Sequence, residues 1–203
     1  MKDEILKTLN FRHACKLFDE MRKIPKEDLL FILEAGRLSP SSFGLEQWKF
    51  IVVQSKELKE ALQTACFNQM QLSTCSDDVA ILAKIEALHP DGQYVNTMLK
   101  RFGYTQEFET RLFNVYKQYY NNTNVLWWSI AQCHIAAANM MTAAASIGID
   151  SCPIGAFEPL KVREVLGYDP KQYEIALIVP FGYRKNPQPA KNRLSFEEVV
   201  EFR

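Results

Sequence analysis

The stretch "RLSPSSFGLEQWKFIVV" (Arg37–Val53) decides how this chain folds. Pro40 ends a helix, because its ring clashes with the preceding turn and offers no N–H to continue it. Trp48–Gln54, "WKFIVVQ", then reads as a strand, rich in β-branched and aromatic residues. A helix-to-strand connection usually takes about 2–6 residues. This one is longer and carries two hydroxyls, an aromatic ring and a glycine in Ser41-Ser42-Phe43-Gly44. Such a loop either cradles a ligand or is an idle surface turn, and the flanking sequence has to separate the two.

Toward the N-terminus, Pro25 suits a first helical turn, with Glu27 and Asp28 favoured there by the helix dipole. Leu29, Ile32, Leu33 and Gly36 fall on one face of that helix. Residues 3–9 read as a short helix leading into Phe11–Phe18. In the other direction, Ser55 can cap a helix over 56–66, and Asp78–Lys84, "DVAILAK", is a second apolar strand. Residues 86–122 are helical in spacing but richer in Tyr and Phe than in aliphatics, which suits a partly exposed excursion. The helix over 124–147 is apolar nearly all round, so its own domain or a partner chain must surround it. Gly148 is a natural stop for it. Pro159 opens a short helix to Leu166 that Gly167 closes, and "YEIALIVPFGYR" (173–184) is a third strand. The terminal "LSFEEVVEFR" reads as an edge strand or a partner-clasping arm. Helices mix with few strands, without repeats or linkers. The reading is an α+β or three-layer α/β unit, one domain over residues 1–203.

Composition narrows the function. In 203 residues Lys plus Arg (24) equals Asp plus Glu (24), so no basic surface points to nucleic acid or an acidic membrane. The N-terminus is charged at Lys2, Asp3, Glu4 and Lys7 and has no apolar core of a secretory signal. Gln132, His134 and Asn139 interrupt the most apolar span, Val125–Ile149, which reads as a buried helix and not a membrane span. Five cysteines, an odd number with no CxxC, suit free thiols in the cytoplasm.

The usual chemistries find no support. No G-x-G-x-x-G follows a strand, and no G-x-x-x-x-G-K-[ST] occurs. His13, His89 and His134 lie far apart without metal-ligand spacing. Ser41 and Ser42 lack a nucleophile elbow, and Cys15 is out of register with His13. What remains is basic residues in two places, Arg12 and Lys16 in "FRHACKLF" and Lys191 and Arg193 in "AKNRL". An extended run would put residues 12, 14 and 16 on one face, so Arg12 and Lys16 can converge.

Taken with the Ser-Ser-Phe-Gly loop, these segments resemble the nitroreductase family of FMN-dependent oxidoreductases. "FRHACKLF" is similar to the family's R-[HS]-S-x-[KR]-x-F motif, and "RLSPSSFGLEQWKFIVV" to its S-P-S-[SA]-x-N-x-[QE]-P-W-x-F-[IV] loop and strand. "FNQMQL" (67–72) stands where the family has a flavin-contacting Asn. "GIDSCPIGAFEPLKVREVLG" (148–167) resembles G-[LI]-[DG]-x-x-P-I-x-G-F, and "VPFGYRKNPQPAKNR" (179–193) the closing strand with its K-x-R phosphate clamp. The resemblance implies a three-layer α/β/α fold with a central, mostly antiparallel sheet, a helical excursion at about 86–122 and an intertwined homodimer. It implies FMN in a site between subunits, with Arg12, Lys191 and Arg193 on the phosphate and His13 and Ala14 beside them. Lys16, Asn68 and Gln71 would meet the pyrimidine edge of the ring. Pro153, Ile154, Gly155 and Ala156 would lie near N5, and Pro40, Ser41, Ser42 and Gly44 would reach the flavin across the interface. The excursion would form a lid whose aromatics sort substrates. The implied reaction passes a hydride from NAD(P)H to FMN and then electrons to nitro compounds, quinones or related acceptors, in ping-pong order. It needs neither a catalytic side chain nor a metal, because the flavin carries the hard step.

Several positions depart from the family's pattern. Ala14 stands where Ser is usual, Gly44 where the loop has Asn, and Gln47 where it has Pro. Gln71 replaces a Lys found in several relatives, and Gly155 a Glu found in some. Cys152 reads as a small apolar residue. A flavin carrier or sensor without turnover, a same-fold reductive dehalogenase and a cofactor-free helical dimer remain as alternatives.

Overall fold

The computed structural model describes residues 1–203. Four strands, β1 (Trp48–Val53), β2 (Asp77–Lys84), β3 (Asp150–Ser151) and β4 (Tyr173–Gly182), form one sheet in the order β1-β2-β4-β3. Every neighbouring pair is antiparallel. The period-2 alternation of β2 shows how the layers arise. Val79, Ile81 and Ala83 face one core with Cys133, Ala136, Ala137 and Met140. Ala80 and Leu82 face another with Leu62, Leu72, Cys152 and Val162. Both faces of the sheet are therefore covered by helices, as the near-continuous apolar strand sequence requires.

On the first face lie α2 (Lys26–Arg37) and α7 (Val125–Ser146), with α1 (Lys2–Phe11) against α7. Gly36 is the contact point, since a Cβ there would fall 2.1 Å from Cε of Met140. The opposite face carries α3 (Lys56–Ala65), α4 (Met70–Thr74) and α8 (Pro159–Leu166). Caps form where the sequence offers them. Ser55 accepts from the Leu58 amide at 3.2 Å and Asn124 from the Trp127 amide at 3.1 Å. Gly167 closes α8 in the left-handed conformation, φ 66°.

The excursion comprises α5 (Gln93–Lys100) and α6 (Gln106–Asn121). It packs on the body of the domain through a core of its own. Leu88, Val95, Met98, Leu99 and Tyr116 make a third core with Leu45 of the Ser-Ser-Phe-Gly loop and Trp128 of α7. Tyr116 seals it by donating from its hydroxyl to the Leu88 carbonyl.

Locally the structure differs from the sequence reading at two places. The C-terminal "LSFEEVVEFR" forms no edge strand but one turn of helix, α9 (Phe196–Val199), fixed by a Ser195/Glu198 capping box. The short strand β3 was not foreseen. No helix is long and apolar enough to cross a membrane.

Candidate active site

The chain after α1 turns extended at Arg12, and Ala14 bridges Ser151 of β3 while the Cys15 amide donates to the Ser151 carbonyl at 3.1 Å. This lays "RHACK" along the end of the sheet. The C-terminal segment returns over it, with Lys191 Nζ donating to the carbonyls of Leu9 and Arg12 at 2.5 Å each. Arg12, His13, Ala14, Lys191 and Arg193 thereby line one pocket of about 370 Å³. His13 and Ala14 also line an adjoining hollow of about 200 Å³ with Lys16. Arg12 and Lys16 thus lie on adjoining hollows, joined by His13 and Ala14.

No carboxylate faces the cations of the first pocket. Asp150, 3.5 Å from His13 Nδ1, is only 2% exposed at its side chain and is committed to Arg184, 2.7 Å from Nη2 to Oδ1. Arg12, Lys191 and Arg193 form no ion pair. Desolvation and then the charges of Arg12 and Arg193 hold the Lys191 amine below its ordinary range. An excess of positive charge with nothing to neutralise it is the donor set of an anion site, and a phosphate monoester fits it.

A second group meets beside it. Lys16 Nζ lies 4.0 Å and Gln71 Nε2 3.8 Å from the Cys152 sulfur. Burial pushes the Cys152 thiol up, opposed by Lys16 and by Gln71. This sulfur is a meeting point, which spacing in the sequence could not disclose. Asn68 stands at φ 58° in the turn before α4, and Gln69 Nε2 donates to the Ala156 carbonyl at 3.0 Å. That bond ties the Asn68 turn to the Pro153–Ala156 loop, itself held by reciprocal Ile154–Ile178 backbone bonds of 2.8 and 3.1 Å.

The Pro40–Gly44 loop belongs to a different place. The Ser42 amide donates to Gln132 Oε1 of α7 at 3.0 Å, and the Glu46 amide to Ser41 Oγ at 2.9 Å. Phe43 (φ 56°) packs on Tyr116, Tyr119 and Trp128 at 5.2, 5.5 and 6.3 Å between ring centres. From α5, Tyr94 donates to the Leu45 carbonyl at 2.7 Å. Just beyond that helix, Arg101 Nη2 donates to the Gly44 carbonyl at 2.8 Å and Nη1 meets Glu46 at 2.6 Å. Lys84 Nζ donates to the carbonyls of Glu46 and Trp48 at 2.6 and 2.7 Å, and burial lowers its pKa to about 8. Tyr94, Lys84 and Arg101 were not anticipated from sequence.

Phe11 and Ala145 line a common groove, so the cationic pocket lies toward the C-terminal end of α7. The Ser42 loop hangs on Gln132. At 1.5 Å per residue, Gln132 and Ala145 are about 20 Å apart along the helix. The structure brings Arg12, His13, Ala14, Lys16, Gln71, Lys191 and Arg193 to one end, and keeps Pro40, Ser41, Ser42 and Gly44 away from them.

Comparison with known proteins bears on the family and the fold. The family model described as "Nitroreductase family" matches residues 9–183. A Staphylococcus haemolyticus protein named "Putative NAD(P)H nitroreductase" is 39% identical over 100% of this chain and 98% of its own length. A Staphylococcus epidermidis structure described as a "putative NAD(P)H:FMN oxidoreductase" superposes with a TM-score of 0.83 at 28% identity, covering 98% of this chain and 95% of that one. An Exiguobacterium sibiricum structure, described as a "putative nitroreductase in complex with FMN", has a TM-score of 0.83 at 23% identity, with 98% and 97% covered. The sheet order, the flanking helices and the matched span lead to one conclusion: this chain belongs to the nitroreductase family.

Proposed function

We propose that this protein is an FMN-dependent oxidoreductase that takes reducing equivalents from NAD(P)H and delivers them to nitro compounds, quinones or related small acceptors. The observation that carries the reading is the pocket of Arg12, Lys191 and Arg193, three cations without a counter-charge. These residues would hold the flavin phosphate by charge-assisted bonds, which removes the need for a glycine-rich loop. Lys16 and Gln71, gathered at the Cys152 sulfur, would face the pyrimidine edge, where a positive charge favours the reduced, anionic ring. The Pro153–Ala156 loop, fixed by Gln69 and Ile178, would supply the wall near N5.

FMN, when bound, accepts a hydride and passes electrons on, so the protein has only to bind, orient and exclude water. Donor and acceptor take turns at one face, the order of a ping-pong cycle. The separation of about 20 Å along α7 leaves the site of one chain incomplete. A homodimer, in which the Ser41–Gly44 loop of one copy approaches the cationic pocket of the other, would complete it. The face of α7 carrying Trp127 (66% exposed), Ala131, Ile135 (39%) and Ala138 is open and mostly apolar, with His134 and Thr142 among them, which suits such pairing.

A visible spectrum of the purified protein tests this, followed by anaerobic NADPH or NADH and then a nitroaromatic or quinone. A flavin spectrum that bleaches with the nicotinamide and recovers with the acceptor is the expected result. Bound flavin that neither nicotinamide bleaches would indicate a carrier, and protein that ignores added FMN would overturn the assignment.

A further inference from the structure

His13 stands between two unlike environments. Its Nδ1 lies 3.4 Å from the Phe11 carbonyl oxygen and 3.5 Å from Asp150 Oδ1, while the ring lines the pocket with Arg12, Lys191 and Arg193. Both neighbours of Nδ1 are acceptors, so Nδ1 carries the hydrogen in the neutral ring. The remaining nitrogen, Nε2, then has a lone pair and no proton. A lone pair cannot donate to a phosphate oxygen and repels it.

We propose that His13 takes up a proton at Nε2 when a phosphate enters this pocket, and that Asp150 is the positioning residue whose charge beside Nδ1 favours the imidazolium, the Phe11 carbonyl holding the Nδ1 hydrogen. The inference rests on the assignment of the pocket to the flavin phosphate. Asp150 is suited to the part. It is held on β3 by three contacts from Arg184, through the backbone amide at 3.0 Å, Nε at 3.0 Å and Nη2 at 2.7 Å. Arg184 is itself braced over the Phe11 ring at 4.2 Å and by Gln188, which in turn donates to the Asn10 carbonyl at 2.8 Å. The carboxylate therefore cannot swing away from His13.

The charges around the imidazole favour neutrality in the empty pocket and protonation in the filled one. Burial lowers the pKa of His13, Asp150 raises it, and Arg184 and Lys191 lower it again. Arg12 and Arg193 share the same pocket and the same sign. A dianionic phosphate reverses that balance, leaving His13 between two anions, Asp150 and the phosphate. The neighbouring Cys15 thiol, raised to about 11 by burial, stays protonated and exchanges nothing at neutral pH.

Calorimetric titration of FMN into the flavin-free full-length chain measures this directly. At pH 7.5, run in buffers of different ionisation enthalpy, it reports protons taken up per FMN bound. The phosphate, with a second pKa near 6, is almost wholly dianionic at that pH and releases little. Uptake that approaches about one proton per site is expected in the wild type and is expected to vanish in His13→Gln, which still binds FMN more weakly. Asp150→Asn keeps an acceptor at Nδ1 but removes the charge that favours the imidazolium, so uptake should fall while binding persists. Should that variant not fold, His13→Gln alone decides. Binding without uptake in the wild type overturns the proposal, as does undiminished uptake in His13→Gln, which would assign the proton to Lys191. Absence of any FMN binding overturns the cofactor assignment itself, a result distinct from binding without a proton.

Discussion

Asp78 has no exposed surface, and its Oδ2 has no partner. Burial raises its pKa to about 8, against the bond from the Cys75 thiol and the charge of Lys59, which act the other way. The unfolded chain titrates this group near its ordinary value of 3.8. Between about pH 4 and pH 8 the folded state therefore holds a proton that the unfolded state has lost, and stability falls as pH rises through that window. Asp78→Asn is expected to flatten this slope. Its melting temperature relative to wild type should be higher at pH 8 than at pH 5 by at least about 3 °C, the effect of ~1 kcal/mol in a chain of this size. A second single-residue test concerns Gln71, 6% exposed and directed at the sulfur that Lys16 also approaches. On the proposed flavin placement, Gln71→Lys would add a second cation at the pyrimidine edge. The flavin midpoint potential should rise, and dye-coupled reductive titration against wild type checks the direction.

Among the elements, the excursion and the Ser-Ser-Phe-Gly loop act as one body. Phe43 is the plug between them, and Phe43→Ala should cost about 2–3 kcal/mol, less than the ~3–5 kcal/mol of a fully buried ring because Phe43 keeps some exposure. Thermal melting would show the loss, and FMN should dissociate faster because the loop loses its anchor. The sequence disclosed the strands and long helices well, since Val79–Ala83 and the caps at Ser55 and Asn124 encode their structure locally. Strand β3 escaped notice because two residues have no periodicity. Its pairing is dictated by β4 on one side and Ala14 on the other. At the C-terminus, where "LSFEEVVEFR" reads as an edge strand or a partner-clasping arm, the Ser195…Glu198 signature of a capping box governs the first turn. Arg12 and Lys191 stand out in the sequence as members of two basic clusters, and the family resemblance supplies the phosphate they would hold. Asp150, Arg184 and Arg101 were not, because their meaning lies in convergence of side chains separated by tens of residues, and spacing along a chain cannot encode that.

For the molecule as a whole, α7 is the spine of the core and, on the proposed dimer, the ruler that would separate the two halves of the site. If a second copy covers its open face, Ile135→Glu should disrupt pairing and FMN retention together. Sedimentation and the flavin-to-protein absorbance ratio would then fall in step, whereas a change in one alone would contradict a shared site. The distance along α7 also bears on genetics. A chain with a ruined cradle (Arg12→Ala with Lys191→Ala) and a chain with a ruined loop (Ser42→Pro) would each be inactive by itself. Co-expressed, they would form mixed pairs in which one pocket combines both defects and the other combines both intact halves. Activity should reappear from two dead alleles, up to about one working site in four for random pairing. Two lesions within the same half would show no such complementation.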